Sequence, residues 1–460
     1  MRILSRTFSV PMVLLALVSC NDELAEEDVD NCFDAAGDPL PVAPIRERVD
    51  LDTPAFSNPI DITNPLFPIS ELESAVFLGF EAGAPLRIET TLLPGSVGID
   101  VDGDRTQTLA SQFVAFVDGR IVEATIDHFA QANDGAVWYF GEDVQNFDDG
   151  RVEDTDGTWR AGREGAEPAM IMPAEPAVGD VFRPENFCGV VFEEATVRDV
   201  DVDVLAPSGL VSGAVVIEML TADGGTEEKV FAPGYGEFRS GVGADVEEIA
   251  VAVPHDRLAT TETKLAAVSQ RSADVFFAAG QQDWTLASAG IGELNEALDS
   301  LEVAEDLPTL LKAQLDDAIL QLERAIADQS VLLAQHRAIA VARANFDLLL
   351  RERATVDVDR ARFDLWLAQI IVDEQAGADA VIEVRAPGDG AIRGDTTAAE
   401  LTFARFRLAL DETSLDEITE GLTALRAAAD DDDEALAALA AAELRTLIDG
   451  TGWNVPELLK

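Results

Sequence analysis

The stretch Phe113-Val114-Ala115-Phe116-Val117-Asp118-Gly119-Arg120-Ile121-Val122-Glu123-Ala124-Thr125-Ile126 carries the clearest conformational signal in the chain. Two runs of aromatic and β-branched residues, which suit a pleated surface, are joined by Asp-Gly, a pair that tolerates positive φ at both central positions of a tight turn. It reads as a β-hairpin. Outward from it, the same punctuation recurs at Asp134-Gly135, Asp149-Gly150 and Asp156-Gly157, and Val137-Trp138-Tyr139-Phe140 follows the second of them as an aromatic strand. Turns at this spacing, in Gly-rich text from Thr53 to Pro254, predict an antiparallel β-rich domain over residues 53–254, built as a curved sheet or a sandwich.

From about Arg257 the composition shifts to Ala, Leu, Asp and Glu, and the apolar period becomes helical. Leu307, Leu311, Leu315, Ile319, Leu322 and Ile326 form one apolar stripe, and Leu415, Ile418, Leu422 and Leu425 form another. Breaks at Ala279-Gly280, Ala327-Asp328, Ala376-Gly377 and Ala429-Asp430 recur roughly every 50 residues, a period within the range of stacked helical repeats. The expectation is an α+β multidomain chain in which residues 255–460 form an all-α array of about four helical hairpins, stacked as a bundle or short solenoid. Ala386-Pro387-Gly388-Asp389-Gly390 makes the third hairpin irregular. The acidic run Asp430 to Glu434, placed before a helix, reads as a cap rather than a cation site, and Trp284 and Trp366 read as interhelix residues.

At the N-terminus, Arg2 and Arg6 precede an apolar run, Val10 to Val18, that stops at Asn21, Asp22 and Glu23. The run has signal-peptide length and falls short of the roughly 20 apolar residues of a membrane span. Leu17-Val18-Ser19-Cys20 resembles the bacterial lipobox, which implies removal of residues 1–19 and lipidation of Cys20. Acyl chains, at about 0.8 kcal/mol per buried CH₂, would then hold the protein at a membrane. Asn21, rather than Asp, behind the cysteine favours the outer over the inner membrane. Residues 20–52 are acidic, contain Pro39-Leu40-Pro41-Val42-Ala43-Pro44, and read as a solvated tether. Cys32 and Cys188 are the remaining cysteines, an even pair suited to an oxidising compartment, and are expected to form a disulfide.

Several phrases resemble an uncharacterised family of exported bacterial proteins, often lipoproteins, with a β-rich domain. They are Asn64-Pro65-Leu66-Phe67-Pro68, Asn133 to Asp143, Gly157-Thr158-Trp159-Arg160-Ala161-Gly162, Met172-Pro173, Val178-Gly179-Asp180 and Phe231-Ala232-Pro233-Gly234-Tyr235-Gly236. The similarity covers roughly residues 55–253 and departs between Ser70 and Thr108, where Ala75-Val76-Phe77-Leu78-Gly79 replaces the expected aromatic strand. It implies a β fold and an extracytoplasmic location and brings no assigned reaction.

The chain holds 87 Asp and Glu against 32 Lys and Arg, a net charge of −55, which excludes nucleic acid as a partner because phosphates require a basic footprint. Lysine occurs only at Lys229, Lys264, Lys312 and Lys460. Adaptation to a salty medium, a coding bias towards arginine, and calcium binding all remain open as the origin of the acidity. The candidate calcium ligands are Asp143, Asp148, Asp149, Asp154 and Asp156, crowded on neighbouring loops; solvated hairpin tips are the plainer reading. Asp100-Val101-Asp102-Gly103-Asp104 is no EF-hand, since Arg105 stands where the loop glycine belongs and Ser111 where the bidentate glutamate belongs. Trp138 and Phe140, two apart on a strand, share a face that could stack on a flat ligand, with core packing as the alternative. Catalytic signatures are missing, and His128, His255 and His336 lie far apart. The leading expectation is a non-catalytic, membrane-anchored envelope lipoprotein that binds or scaffolds a protein partner through its helical array. The alternative is an envelope-tethered hydrolase using carboxylates or a histidine such as His128.

Overall fold

The computed structural model describes residues 32–258, 265–304, 307–376 and 390–448. The signal segment and Cys20 lie outside the described residues, as does most of the irregular third-hairpin insertion.

Fifteen strands form one sheet in which neighbours run antiparallel. They are β1 (Ser74–Glu81), β2 (Ala84–Leu92), β3 (Val97–Val101), β4 (Asp104–Val117), β5 (Arg120–Gln131), β6 (Val137–Asp148), β7 (Arg151–Asp154), β8 (Trp159–Arg160), β9 (Ala169–Met172), β10 (Val181–Phe187), β11 (Val191–Ala206), β12 (Gly209–Thr221), β13 (Thr226–Ala232), β14 (Gly236–Val242) and β15 (Asp245–Val253). Four connections, Ala82-Gly83, Asp102-Gly103, Asp118-Gly119 and Asp149-Gly150, have φ of 48° to 51° at the first residue and 71° to 94° at the glycine. Such doubly left-handed pairs match the strand twist, which is why Asp-Gly marks these hairpins. Asp102-Gly103 is thus a hairpin tip. The hairpin of β1 and β2 forms even though its text departs from the family resemblance.

The strand order is β10-β11-β12-β13-β14-β15-β1-β2-β4-β5-β6-β7. Two meanders are therefore spliced by one long-range pairing, β15 with β1, from Ser74 opposite Val253 to Gly79 opposite Glu247. Strand β9 bonds to β6 and also lies against β10, so the two ends of the order approach each other around an interior. The result is a single curled sheet rather than two packed sheets.

Eight helices follow: α1 (Leu265–Gly280), α2 (Trp284–Ala304), α3 (Thr309–Ala327), α4 (Val331–Leu349), α5 (Thr355–Ala376), α6 (Ala391–Phe406), α7 (Glu412–Asp430) and α8 (Glu434–Leu447). They pair as four hairpins, α1 with α2, α3 with α4, α5 with α6 and α7 with α8; α1 also packs on α4, and α5 on α8. Three of the turns share one construction. Gln282, Gln329 and Asp432 adopt positive φ, and the next residue's N–H reaches back to Ala278, Ala325 and Ala428, closing a Schellman turn. Asp283 and Asp433 then accept from the N–H groups of Leu286 and Leu436, so one short segment ends one helix and caps the next. Asp433 in the acidic run is such a cap.

The helices cover the outer face of the sheet. Val76, Ala250, Val251 and Val253 enter one core with α1 to α4, while Val114, Phe116, Ile121 and Ala124 enter another with Phe363, Trp366 and Phe403. Trp366 stacks on Phe116 at 5.4 Å between centroids. The inward side chains Phe113 and Ala115 belong to a separate core, so Phe113 to Val117 is apolar throughout because both faces of β4 are covered. Between sheet and helices lies a buried ionic network. Arg87 donates to Glu89 at 2.7 Å and to Asp347 at 2.6 Å; Arg362 donates to Asp347 at 2.8 Å; Arg405 donates to Glu89 at 2.6 Å and to Gln112 at 2.7 Å. Asp359 sits 3.4 Å from Arg362, which balances three guanidinium groups with three carboxylates. Pairing of this kind is required of charges held away from water.

Cys32 and Cys188 form the expected disulfide, with 5.5 Å between their Cα atoms. Residues 32–52 do not stand off as a free spacer. Cys32 and Leu40 are buried against Phe192 and Leu220, the Val49 N–H donates to the Val181 carbonyl at 2.8 Å, and Arg48 pairs with Asp50 in a buried position. Cys32, Leu40 and the partly buried Val42 fill the gap beside β11 and β12, while Phe33, Val49 and Leu51 stay exposed.

Candidate functional site

Inside the curled sheet lies a cavity of about 290 Å³. Strand alternation builds its wall. On β5, Glu123, Thr125, Asp127 and Phe129 point inward at every second position, opposite Ser111 and Phe113 on β4. A register irregularity between Asp127 and Phe129 lets Tyr139 and Glu142 of β6, three residues apart, both face the interior. Across the cavity stand Glu185, Glu193, Lys229, Glu237 and Glu247, one from each of β10, β11, β13, β14 and β15.

The wall divides into two chemical ends. At one, the Lys229 ammonium lies 3.3 Å from Glu227 and 3.7 Å from Glu193. Burial opposes its charge, but Glu193, Glu237, Glu227 and Glu185 together hold its pKa well above the ordinary lysine value. At the other end, Tyr139 donates its hydroxyl to Asp127 at 2.7 Å beneath a stack of rings: Tyr139 on Phe129 at 4.8 Å and Phe129 against Phe67 at 4.9 Å. Burial raises the Asp127 carboxyl to about 7; the tyrosine hydrogen bond lowers it, and neighbouring Glu123 raises it. Burial, followed by the charges of Glu185 and Asp127, also lifts Glu142 well above the carboxylate range, and Glu142 and Glu185 are hydrogen-bonded to each other. Glu185 itself is pushed up to about 8, burial again being the largest cause and Glu193 the next. Glu247 rises to about 7 by burial and the charge of Glu237. Ser111, 1 % exposed on this wall, has a hydroxyl with no hydrogen-bond partner. The arrangement can hold a small molecule with one aromatic or aliphatic face and one polar end.

The residues singled out by sequence stand elsewhere. Trp138 and Phe140 are buried at 5 % and 1 % exposure in the core outside the cavity, Phe140 against Phe56, and offer no ligand platform; the cavity takes the intervening Tyr139 instead. The calcium candidates do not converge. Asp143 pairs with Arg160 and lies 3.9 Å from His128; Asp149 accepts from the N–H of Gly390 before α6; Asp154 accepts from Asn146 and from the Asp156 N–H; Asp148 and Asp156 are exposed. Among the described residues no three His, Cys, Asp or Glu side chains form a group that could hold a metal ion. Arginine-rich pairing and turn geometry, rather than a shared ion, organise these aspartates. His128, 3 % exposed, has its pKa lowered to about 4 by burial and by Arg160, and His336 is buried beside Asp373 and Gln369. Among the described residues no helix is long and apolar enough to cross a membrane.

Sequence reasoning passed over the cavity acids. Their signal was alternation: Glu123, Thr125 and Asp127 on a strand whose intervening residues are mostly apolar, and one of the rare lysines placed in Glu227-Glu228-Lys229. Compared with known proteins, the chain matches no family model and no curated protein.

Proposed function

We propose that this chain is a non-catalytic, lipid-anchored protein of the bacterial envelope that binds a small molecule inside its β domain. The cavity carries the reading: converging polar groups face an aromatic wall, the general form of a small-ligand site, and the volume suits a compact ligand rather than a polymer. The anchor rests on Leu17-Val18-Ser19-Cys20 behind a basic and apolar leader, with Asn21 favouring the outer membrane. The Cys32–Cys188 bridge is in keeping with export to an oxidising compartment. The helices act first as a support that braces the sheet from outside; a protein partner on their remaining exposed surface is a further part of the proposal.

Two measurements test this. Intact mass and membrane fractionation beside a Cys20→Ala variant should show lipid mass and membrane retention lost together, and identical fractionation would refute the anchor. A thermal-shift panel of small amines, alcohols, sugars and carboxylates should give saturable stabilisation by at least one class, and a uniformly silent panel would refute the binding role. A hydrolase is the second reading, favoured by the hydrogen-bonded Glu142–Glu185 pair, which could divide acid and base roles. Turnover of an ester, glycan or peptide panel that Glu185→Gln abolishes would establish it.

A further inference from the structure

We propose that the end of the cavity formed by Ser111, Asp127 and Glu142 is a subsite for the ammonium group of a small organic amine. This rests on the binding role proposed above and names the ligand class. Seven carboxyl groups line the cavity, from Glu123, Asp127, Glu142, Glu185, Glu193, Glu237 and Glu247, against the single ammonium of Lys229. That lysine is an internal precedent, since its charge is held at the far end by carboxylates alone. No basic side chain lines the Asp127 end, where Ser111 lies directly across the strands from Asp127.

Ser111 is an independent pointer to a ligand. Its buried hydroxyl lacks a partner, and leaving such a group unpaired is costly unless something is meant to meet it. An ammonium has three N–H donors and no acceptor, which matches an acceptor set of one hydroxyl and two carboxyls. The rings of Phe67, Phe129 and Tyr139 that line the cavity beside these acceptors give the carbon frame of an organic cation an apolar wall that a bare metal ion would not use.

Proton displacement follows. The groups facing Asp127 are Glu123 on its own strand and Tyr139 and Glu142 on β6, with Glu185 bonded to Glu142 and Lys229 across the cavity. In the empty cavity Asp127 titrates at about 7, so an entering ammonium must compete with its proton below that pH. Binding therefore tightens as pH rises through 7, and goes on tightening while Glu142 and Glu185, which burial also raises, lose their protons.

The test is titration calorimetry on the full chain with methylamine, butylamine and benzylamine, each beside its matched alcohol, at pH 6, 7 and 8 in two buffers of different ionisation enthalpy. At least one amine should bind tenfold or more tightly than its alcohol, gain about fivefold in affinity between pH 6 and 7, and release protons. Asp127→Asn should remove both the preference and the gain between pH 6 and 7, and Ser111→Ala should weaken binding several-fold. Should Asp127→Asn fail to fold, Glu142→Gln reads the same subsite. Alcohols binding as tightly as amines would overturn the cation assignment while leaving a binding cavity in place. Amine binding untouched by Asp127→Asn and Glu142→Gln would overturn the location. A protein that binds no amine but responds to another class in the thermal-shift panel would refute this inference alone; silence in both assays would refute the binding role as well.

Discussion

Replacing Asp127 by asparagine should make the protein more stable at alkaline pH, the reverse of what loss of a buried charged group usually does. Burial pushes the folded-state carboxyl up to about 7 from its ordinary 3.8, so between these values the folded chain holds a proton that the unfolded chain has released. Where the folded state binds more protons, stability falls as pH rises; Asp127 therefore contributes full stability below about pH 4 and loses it progressively up to about pH 7. A shift of about three units, at roughly 1.4 kcal/mol per unit, sets a ceiling of about 4 kcal/mol. Sharing of charge with Glu123 and Glu142 brings the expectation for one substitution to about 2 kcal/mol. Asparagine keeps an acceptor for the Tyr139 hydroxyl and nearly the same volume, so the comparison isolates the ionisation. Urea unfolding followed by circular dichroism, disulfide intact, at pH 4.5, 6, 7 and 8 provides the assay. Wild type and Asp127→Asn should lie within about 1 kcal/mol of each other at pH 4.5 and diverge further, to about 2 kcal/mol in favour of the variant, by pH 8. Parallel profiles, or a variant less stable at pH 8, would show that Asp127 is solvated and ionised in the folded protein and would refute the reasoning.

Other substitutions report on different layers of the structure. The Cys32–Cys188 bridge closes a loop of sequence separation 156, and its removal by paired serine substitutions should cost about 2–5 kcal/mol in urea unfolding, with residues 32–52 becoming the first site of limited proteolysis. Arg362→Met leaves the fully buried Asp347 with Arg87 and Asp359 with Arg405, three carboxylates against two guanidinium groups, and should lower stability by about 3–5 kcal/mol; adding Asp359→Leu, which restores the charge balance, should recover part of it in a double-mutant cycle. Trp366→Ala should cost about 3–5 kcal/mol by opening a void between Phe116 and Arg343, measured by thermal unfolding. Calcium should raise the unfolding temperature no more than sodium chloride of matched ionic strength, because Asp143, Asp149 and Asp154 already have arginine, backbone or asparagine partners; a saturable excess would restore a calcium site.

Much of the local architecture was legible from residues alone. The Asp-Gly pairs at 118–119, 134–135 and 149–150 located hairpin tips, whereas Asp156-Gly157 joins β7 and β8, which each pair with β6; the breaks near Gly280, Asp328 and Asp430 located three helical hairpins, because these signals act through φ preferences and capping within a few residues. Helix α5 gave no apolar stripe, since its arginines and aspartates, Asp359 and Arg362 among them, are buried beside its leucines in the ionic network. Trp138 and Phe140 drew notice for their size and are buried in the core, whereas the register irregularity beside Phe129 turns the intervening Tyr139 into the cavity. Crowded aspartates suggested an ion because spacing along the chain does not reveal which arginine lies across the turn.

Short-range chemistry in the sequence by itself determined the β-then-α order, the hairpin turns and the helix caps, while the pairing of Cys32 with Cys188 followed from their being the even pair left beside Cys20. Only the tertiary structure decided that β15 joins β1, that the sheet curls until its ends meet, and that eight helices brace its outer face. The β15–β1 pairing links residues more than 150 positions apart, and many alternative pairings satisfy the same local pattern. The cavity belongs to this second class. Glu123, Asp127, Glu142, Glu185 and Glu247 look in sequence like ordinary solvated strand residues, and they acquire displaced proton affinities because curling the sheet takes their face away from water and sets them opposite one another.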